Sequence, residues 1–102
     1  MAIAPLGHYG GTVIPYQVGP EFEDSYHAVD DEMAVALDDG LETLLGGLHA
    51  TAGGRRHRVT GDEGGAYIFQ IPTDGGVWHV YWDYATPDRD EIRLIDLVLI
   101  EV

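Results

Sequence analysis

The sequence predicts an α+β domain: an N-terminal edge strand, a helical hairpin or bent helix, and a three-stranded antiparallel meander packed on the helices. Three observations carry this prediction. Apolar residues recur at spacings of four and three from Phe22 to Leu37 and again from Leu41 to Leu48, as on a helix with one buried stripe. After Gly64-Gly65 the period changes to that of strands, and Ala66 to Pro72 and Val77 to Tyr84 are rich in β-branched and aromatic residues. A third strand-like run, Ile92 to Val102, closes the chain.

Residues 1–11 contain Pro5, Gly7 and Gly10-Gly11 with no period, and read as a loose arm ahead of a single domain over residues 12–102. Thr12 to Val18 alternates imperfectly around Pro15; proline removes a ladder donor, so a short edge strand is expected. Gly19-Pro20 starts a helix, with proline at its first position and Glu21, Glu23 and Asp24 in the first turn, where the peptide dipoles favour anions. The stripe Phe22, Tyr26, Val29, Met33, Leu37 is interrupted at Asp38-Asp39-Gly40, where a bend or hairpin loop is expected. It resumes with Leu41, Leu44, Leu45 and Leu48, and the glycine pairs at 46–47 and 53–54 end it.

Thr73-Asp74-Gly75-Gly76 supplies turn chemistry for a hairpin, and Thr86-Pro87-Asp88 a second turn. Trp78, Val80, Trp82 and Tyr84 share the face expected in the core, with His79, Tyr81 and Asp83 opposite. In the last strand Ile92, Leu94, Val98 and Ile100 share one face, and Ile95, Leu97 and Leu99 the other. Both faces are therefore expected to be covered, by a central place in the sheet, by the N-terminal arm or by a partner.

The 102 residues carry 18 Asp and Glu against five Arg and no Lys, a formal charge of −13. Residues 1–54 contain no Arg, so the first half is the acidic one. Binding to phosphate backbones or anionic membranes depends on cations displacing counterions, and neither direct nucleic-acid binding nor membrane association is expected. No apolar run reaches the roughly 18 to 20 residues that cross a bilayer, and a cytoplasmic protein is expected. Without cysteine there is no disulfide, thiolate nucleophile or Cys-rich zinc site; without Lys there is no phosphate-binding P-loop.

Few constellations carry chemistry. Glu23, Asp24, Asp30, Asp31, Glu32, Asp38 and Asp39 form the candidate partner-binding face, suited to a basic protein. Arg55, Arg56, His57 and Arg58 are the one concentrated positive charge; they could bind an anion, but with opposite charge so abundant in the chain an intramolecular answer to the helix carboxylates is the favoured reading. Glu23, His27 and Asp31 follow i, i+4, i+8 spacing, which is able to hold a divalent ion, but such a polar line is ordinary on an acidic helix. No metal or cofactor is assigned. His57, His79, Tyr81 and Tyr84 are groups that acid–base catalysis uses, yet no spacing joins them and no catalytic residue is assigned. His79 and Tyr81 stand as candidate residues of an exposed sheet face.

This order of elements resembles the RelE/ParE family of toxin–antitoxin toxins over roughly residues 12–102, in pattern and length. The stretches that carry it are Tyr16-Gln17-Val18 running into Pro20-Glu21-Phe22, the Leu41 to Leu48 segment, Gly61 followed by Ala66 to Ile71, and Val77 to Trp82. The resemblance implies a component that binds a partner protein; in the RelE-like branch, basic residues on two meander strands and near the chain end also contact messenger RNA. Here Gln70 and His79 best match those strand positions, and the chain ends Leu99-Ile100-Glu101-Val102 with no basic residue. The expectation is thus a protein-binding domain without ribonuclease activity, any RNA cleavage being metal-independent. The alternative, drawn from charge, is an acidic inhibitor or nucleic-acid mimic that blocks a basic groove on its target. A homodimer is a further expectation.

Overall fold

The computed structural model describes residues 13–51, 57–61 and 64–101. In chain order the elements are β1 (Tyr16–Val18), α1 (Pro20–His27), α2 (Asp31–Leu45), a 3-10 turn (Leu48–Ala50), β2 (His57–Gly61), β3 (Gly64–Thr73), β4 (Gly76–Tyr84) and β5 (Ile92–Ile100). The strands form one sheet in the order β1-β5-β4-β3-β2, antiparallel except for β1, which runs parallel to β5. The expected meander is β3-β4-β5, and β1 is the expected edge strand. β2, at the other edge, is an addition: His57-Arg58-Val59-Thr60-Gly61 lacks an alternating apolar pattern and takes its strand conformation from pairing with β3.

Two helices are present, but they divide at a different place from the one the sequence suggests. α2 runs unbroken through Asp38-Asp39-Gly40, and the break falls at residues 28–30. There the Asp30 carboxylate accepts a hydrogen bond from the Met33 N–H at 2.8 Å and caps α2. Gly40 has another purpose: a Cβ at this position would lie 2.5 Å from Ile71 Cδ1, so the bare backbone lets α2 settle on β3. Gly40→Ala is expected to destabilise the fold by about 1 kcal/mol, since overpacking at about 1 to 3 kcal/mol outweighs a helix-propensity gain of about 1. Denaturant unfolding checks this. The Gly40→Ala, Ile71→Val double variant should be more stable than the summed single effects; simple additivity would contradict the contact.

The helices lie on one side of the sheet. Phe22, Tyr26, Leu37, Leu41, Leu44 and Leu45 pack onto Ile71, Trp78, Val80, Trp82, Ile92, Leu94 and Leu97. The pairing explains this set: Ile71, Trp78 and Leu99 lie side by side, as do Phe69, Val80 and Leu97, and Tyr67, Trp82 and Leu94.

In β5, Leu94 pairs with Trp82 and Asp96 with Tyr81, leaving Ile95 as an extra residue in a β-bulge. The bulge reverses the alternation. Ile92 and Leu94, then Leu97 and Leu99, face the helices, whereas Asp96, Val98 and Ile100 face away. Of the three ways in which both faces of this strand are expected to be covered, the central place in the sheet is present, with β5 between β1 and β4, and on the face away from the helices Val98 is 36% and Ile100 43% exposed in the single chain. Alternation without the bulge would have turned Asp96 into the core. With it, the Asp96 carboxylate stays outside and accepts from its neighbour's Leu97 N–H at 2.8 Å.

Candidate functional site

The outward side of the helices carries the acidic residues. Glu21, Asp24, Asp30, Asp31, Glu32 and Asp39 are exposed, while Glu23, Asp38 and Glu42 are half-buried. Asp38 turns inward and accepts a 2.7 Å hydrogen bond from the Tyr26 hydroxyl. Burial, that bond and the Asp38 charge all push the Tyr26 hydroxyl well above the usual phenol range; burial first, then Asp38, raises Tyr16 too. Asp38 thus serves the α1–α2 packing. Of the arginines, Arg89 holds its guanidinium 5.3 Å from the Tyr84 ring centre and Arg93 pairs in register with Asp83 and Gln17, so both lie at the sheet.

A groove of about 220 Å³ opens between α2 and the β3–β4 turn, lined by Asp30, Glu32, Met33, Ala36, Thr73 and Asp74. Three carboxylates surround a floor made by a thioether and a methyl group. Such a groove suits a Lys or Arg side chain, whose alkyl stem packs on apolar surface while its charged head stays at the polar rim.

The other sequence candidates fall elsewhere. Glu23 and His27 are 3.9 Å apart on α1, but the helix break puts Asp31 on α2, so the three do not make one helical stripe. Among the described residues no three metal-ligating side chains gather. Arg55 and Arg56 lie outside the described residues; His57 and Arg58 open β2, paired with Ile68 and Tyr67. On the sheet face away from the helices, Gln70 and His79 sit opposite each other with their Nε2 atoms 3.3 Å apart, and the Tyr81 ring centre is 6.4 Å from that of His79. Tyr84 points to the opposite face, so His79 and Tyr84 cannot act on one reacting atom.

The sequence reading missed an aromatic corner at the other end of the sheet. The Tyr84 hydroxyl donates to the His49 carbonyl and lies against His49 Nδ1, each at 2.9 Å. Its single proton being committed to the carbonyl, Nδ1–H of His49 donates back. Trp82, fully buried, has its ring centre 4.9 Å from Tyr67, 5.3 Å from Tyr84 and 6.4 Å from His49. Among the described residues its Nε1–H has no partner. The corner clasps the 3-10 turn to the sheet, and no pattern in the sequence marks His49 for that role. In comparisons with known proteins, no family model, curated sequence or solved structure matches the chain.

Proposed function

We propose that the protein is a small protein-binding domain that receives a basic partner on its helical face, in keeping with the toxin–antitoxin component that its RelE/ParE-like order of elements implies, and without ribonuclease activity. The observation that carries this reading is the Asp30–Glu32–Asp74 groove over Met33 and Ala36. A partner's Lys or Arg enters it, with the neighbouring Asp31, Asp24 and Glu21 steering the approach. The basic groove-blocking inhibitor reading uses the same exposed carboxylates, which extend over both α1 and α2. Growth inhibition on expression favours the toxin-like component, and its absence the inhibitor. No helix among the described residues is long and apolar enough to cross a membrane.

The test uses an arginine-rich peptide as probe and two variants with equal charge change. Asp30→Asn, Asp31→Asn, Glu32→Gln should keep the fold, because Asn caps a helix as well as Asp does. At low salt it should weaken binding roughly 10-fold, as expected for three ion pairs of about 0.2 to 1 kcal/mol each. Glu21→Gln, Glu23→Gln, Asp24→Asn on α1 should weaken it roughly 2-fold, through long-range attraction alone. Equal losses in the two variants would mean that general acidity, and not the groove, makes the contact.

A further inference from the structure

We infer that the protein pairs with a second copy of itself, back to back, through the sheet face that the helices leave open. Pairing in register places Ile68 beside Tyr81, Val98 beside His79 and Val77 beside Ile100 on this face. Val98 and Ile100 are two of the three large apolar side chains that stand exposed among the described residues. Hydrogen-bonded Gln70 and His79 fill the middle. The apolar residues are therefore contiguous across β3, β4 and β5, on a sheet that has no second layer among the described residues.

Charge selects the occupant. Each copy carries −13, so two copies repel unless they meet where carboxylates are sparse and keep the remainder apart. The open face offers Asp83 beside Arg93, and Asp96, whereas nine carboxylates belong to the helical segment on the opposite side. Back-to-back pairing makes a four-layer arrangement with the helices outermost. With layers on the order of 10 Å apart, the two acidic surfaces are separated by on the order of 30 Å, well beyond the Debye length of about 8 to 10 Å at physiological salt. A basic protein would be drawn to the helices instead. Size is of the same order: strands about 4.8 Å apart and about 3.4 Å per residue give the five strands, at their own lengths, a flat face of roughly 600 Å², against about 800 Å² per partner in a standard interface. A two-fold axis brings the same patch together from both copies.

The pairing leaves the Asp30–Glu32–Asp74 groove outside, so it stands or falls separately from the proposed function. Salt has opposite effects on the two. Raised from about 0.01 M, where the Debye length is about 30 Å, it relieves repulsion between the outer helical surfaces and should tighten the dimer, while it weakens binding of a basic peptide.

Sedimentation equilibrium on the full chain tests the inference. The expected mass is twice 11.1 kDa. Val98→Asp and Ile100→Asp change side chains already exposed in the single copy, so folding should persist while the dimer dissociation constant rises at least about 100-fold, each burying an unpaired charge. Val98→Thr, a milder change, should raise it by about 3- to 10-fold through lost apolar contact. Val35→Asp, at the 61% exposed apolar residue on α2, should leave the dimer intact. A mass of 11.1 kDa across the micromolar range would overturn the inference. So would a dimer indifferent to the Val98 and Ile100 changes, one lost equally with Val35→Asp, or one that loosens as salt is raised.

Discussion

Trp82→Ala is expected to cost about 4 kcal/mol, within the range of about 3 to 5 for emptying a buried tryptophan site and a large share of the roughly 5 to 15 kcal/mol that holds a domain of this size together. The indole is fully buried and contacts aromatic rings on both neighbouring elements, Tyr67 on β3 and His49 on the 3-10 turn. Leu94 and Tyr67 flank it in the sheet, so no flexible surface chain can collapse into the space. Trp82→Phe separates two effects. It keeps a ring in the site and deletes the unpartnered Nε1–H, whose burial costs about 1 to 3 kcal/mol, so part of the lost packing is returned. The Phe variant should lie within about 1.5 kcal/mol of the parent, on urea curves whose slopes do not change. Equal losses for Ala and Phe would show that packing around the ring does not control the corner. Loosening of the clasp should appear in the Ala variant as faster amide exchange over residues 48–51.

The parts of the fold that were legible in the sequence are those set by near neighbours. In the expected stripe Phe22, Tyr26, Leu37, Leu41, Leu44 and Leu45 are buried and Val29, Met33 and Leu48 half-buried, because within each helix the spacing puts the apolar residues on one side. The β3–β4 hairpin was legible for the same reason: its short turn, closed by Thr73 opposite Gly76, fixes every pair behind it, including Gln70 with His79. Gly76 sits at φ 136°, and a Cβ there would come within 2.6 Å of the Ile100 carbonyl oxygen, so the turn depends on this glycine.

What escaped the sequence depends on distant partners or on signals hidden by composition. An aspartate at a helix start is a capping signal, but in a segment so rich in aspartate Asp30 did not stand out, and the apolar stripe passes through Val29 as if the helix continued. Gly40 reads as a breaker until Ile71 is placed against it. The groove was beyond local pattern, since Asp74 on a hairpin turn joins Asp30 and Glu32 only after the sheet packs on α2. The two apolar faces of β5 had a visible clue in Asp96, a charged residue in a strand where either register otherwise supplies a core.

That clue leads to the second large effect: Asp96→Val should release the register of β5. In the parent, pairing without the bulge would place residue 96 opposite Val80, which is fully buried, and an unpaired carboxylate there costs several kcal/mol. The remaining change is nearly balanced, because Val98 and Ile100 would replace Leu97 and Leu99 against the helices. The bulge itself interrupts the ladder, so a regular strand regains pairing. Asp96 therefore decides the register twice over: by its charge, and by accepting from the Leu97 N–H within the bulge. With Val in its place both terms vanish, and the amide resonances of residues 96–100 should double or move to the bulge-free positions, with Leu97 and Leu99 gaining exposure. Asp96→Asn keeps a polar group and the acceptor, and should keep the parent register. A single, unshifted set of resonances in Asp96→Val, with Leu97 as protected as before, would show that the bulge is imposed by the β4–β5 turn or the α1 contact and not by this carboxylate.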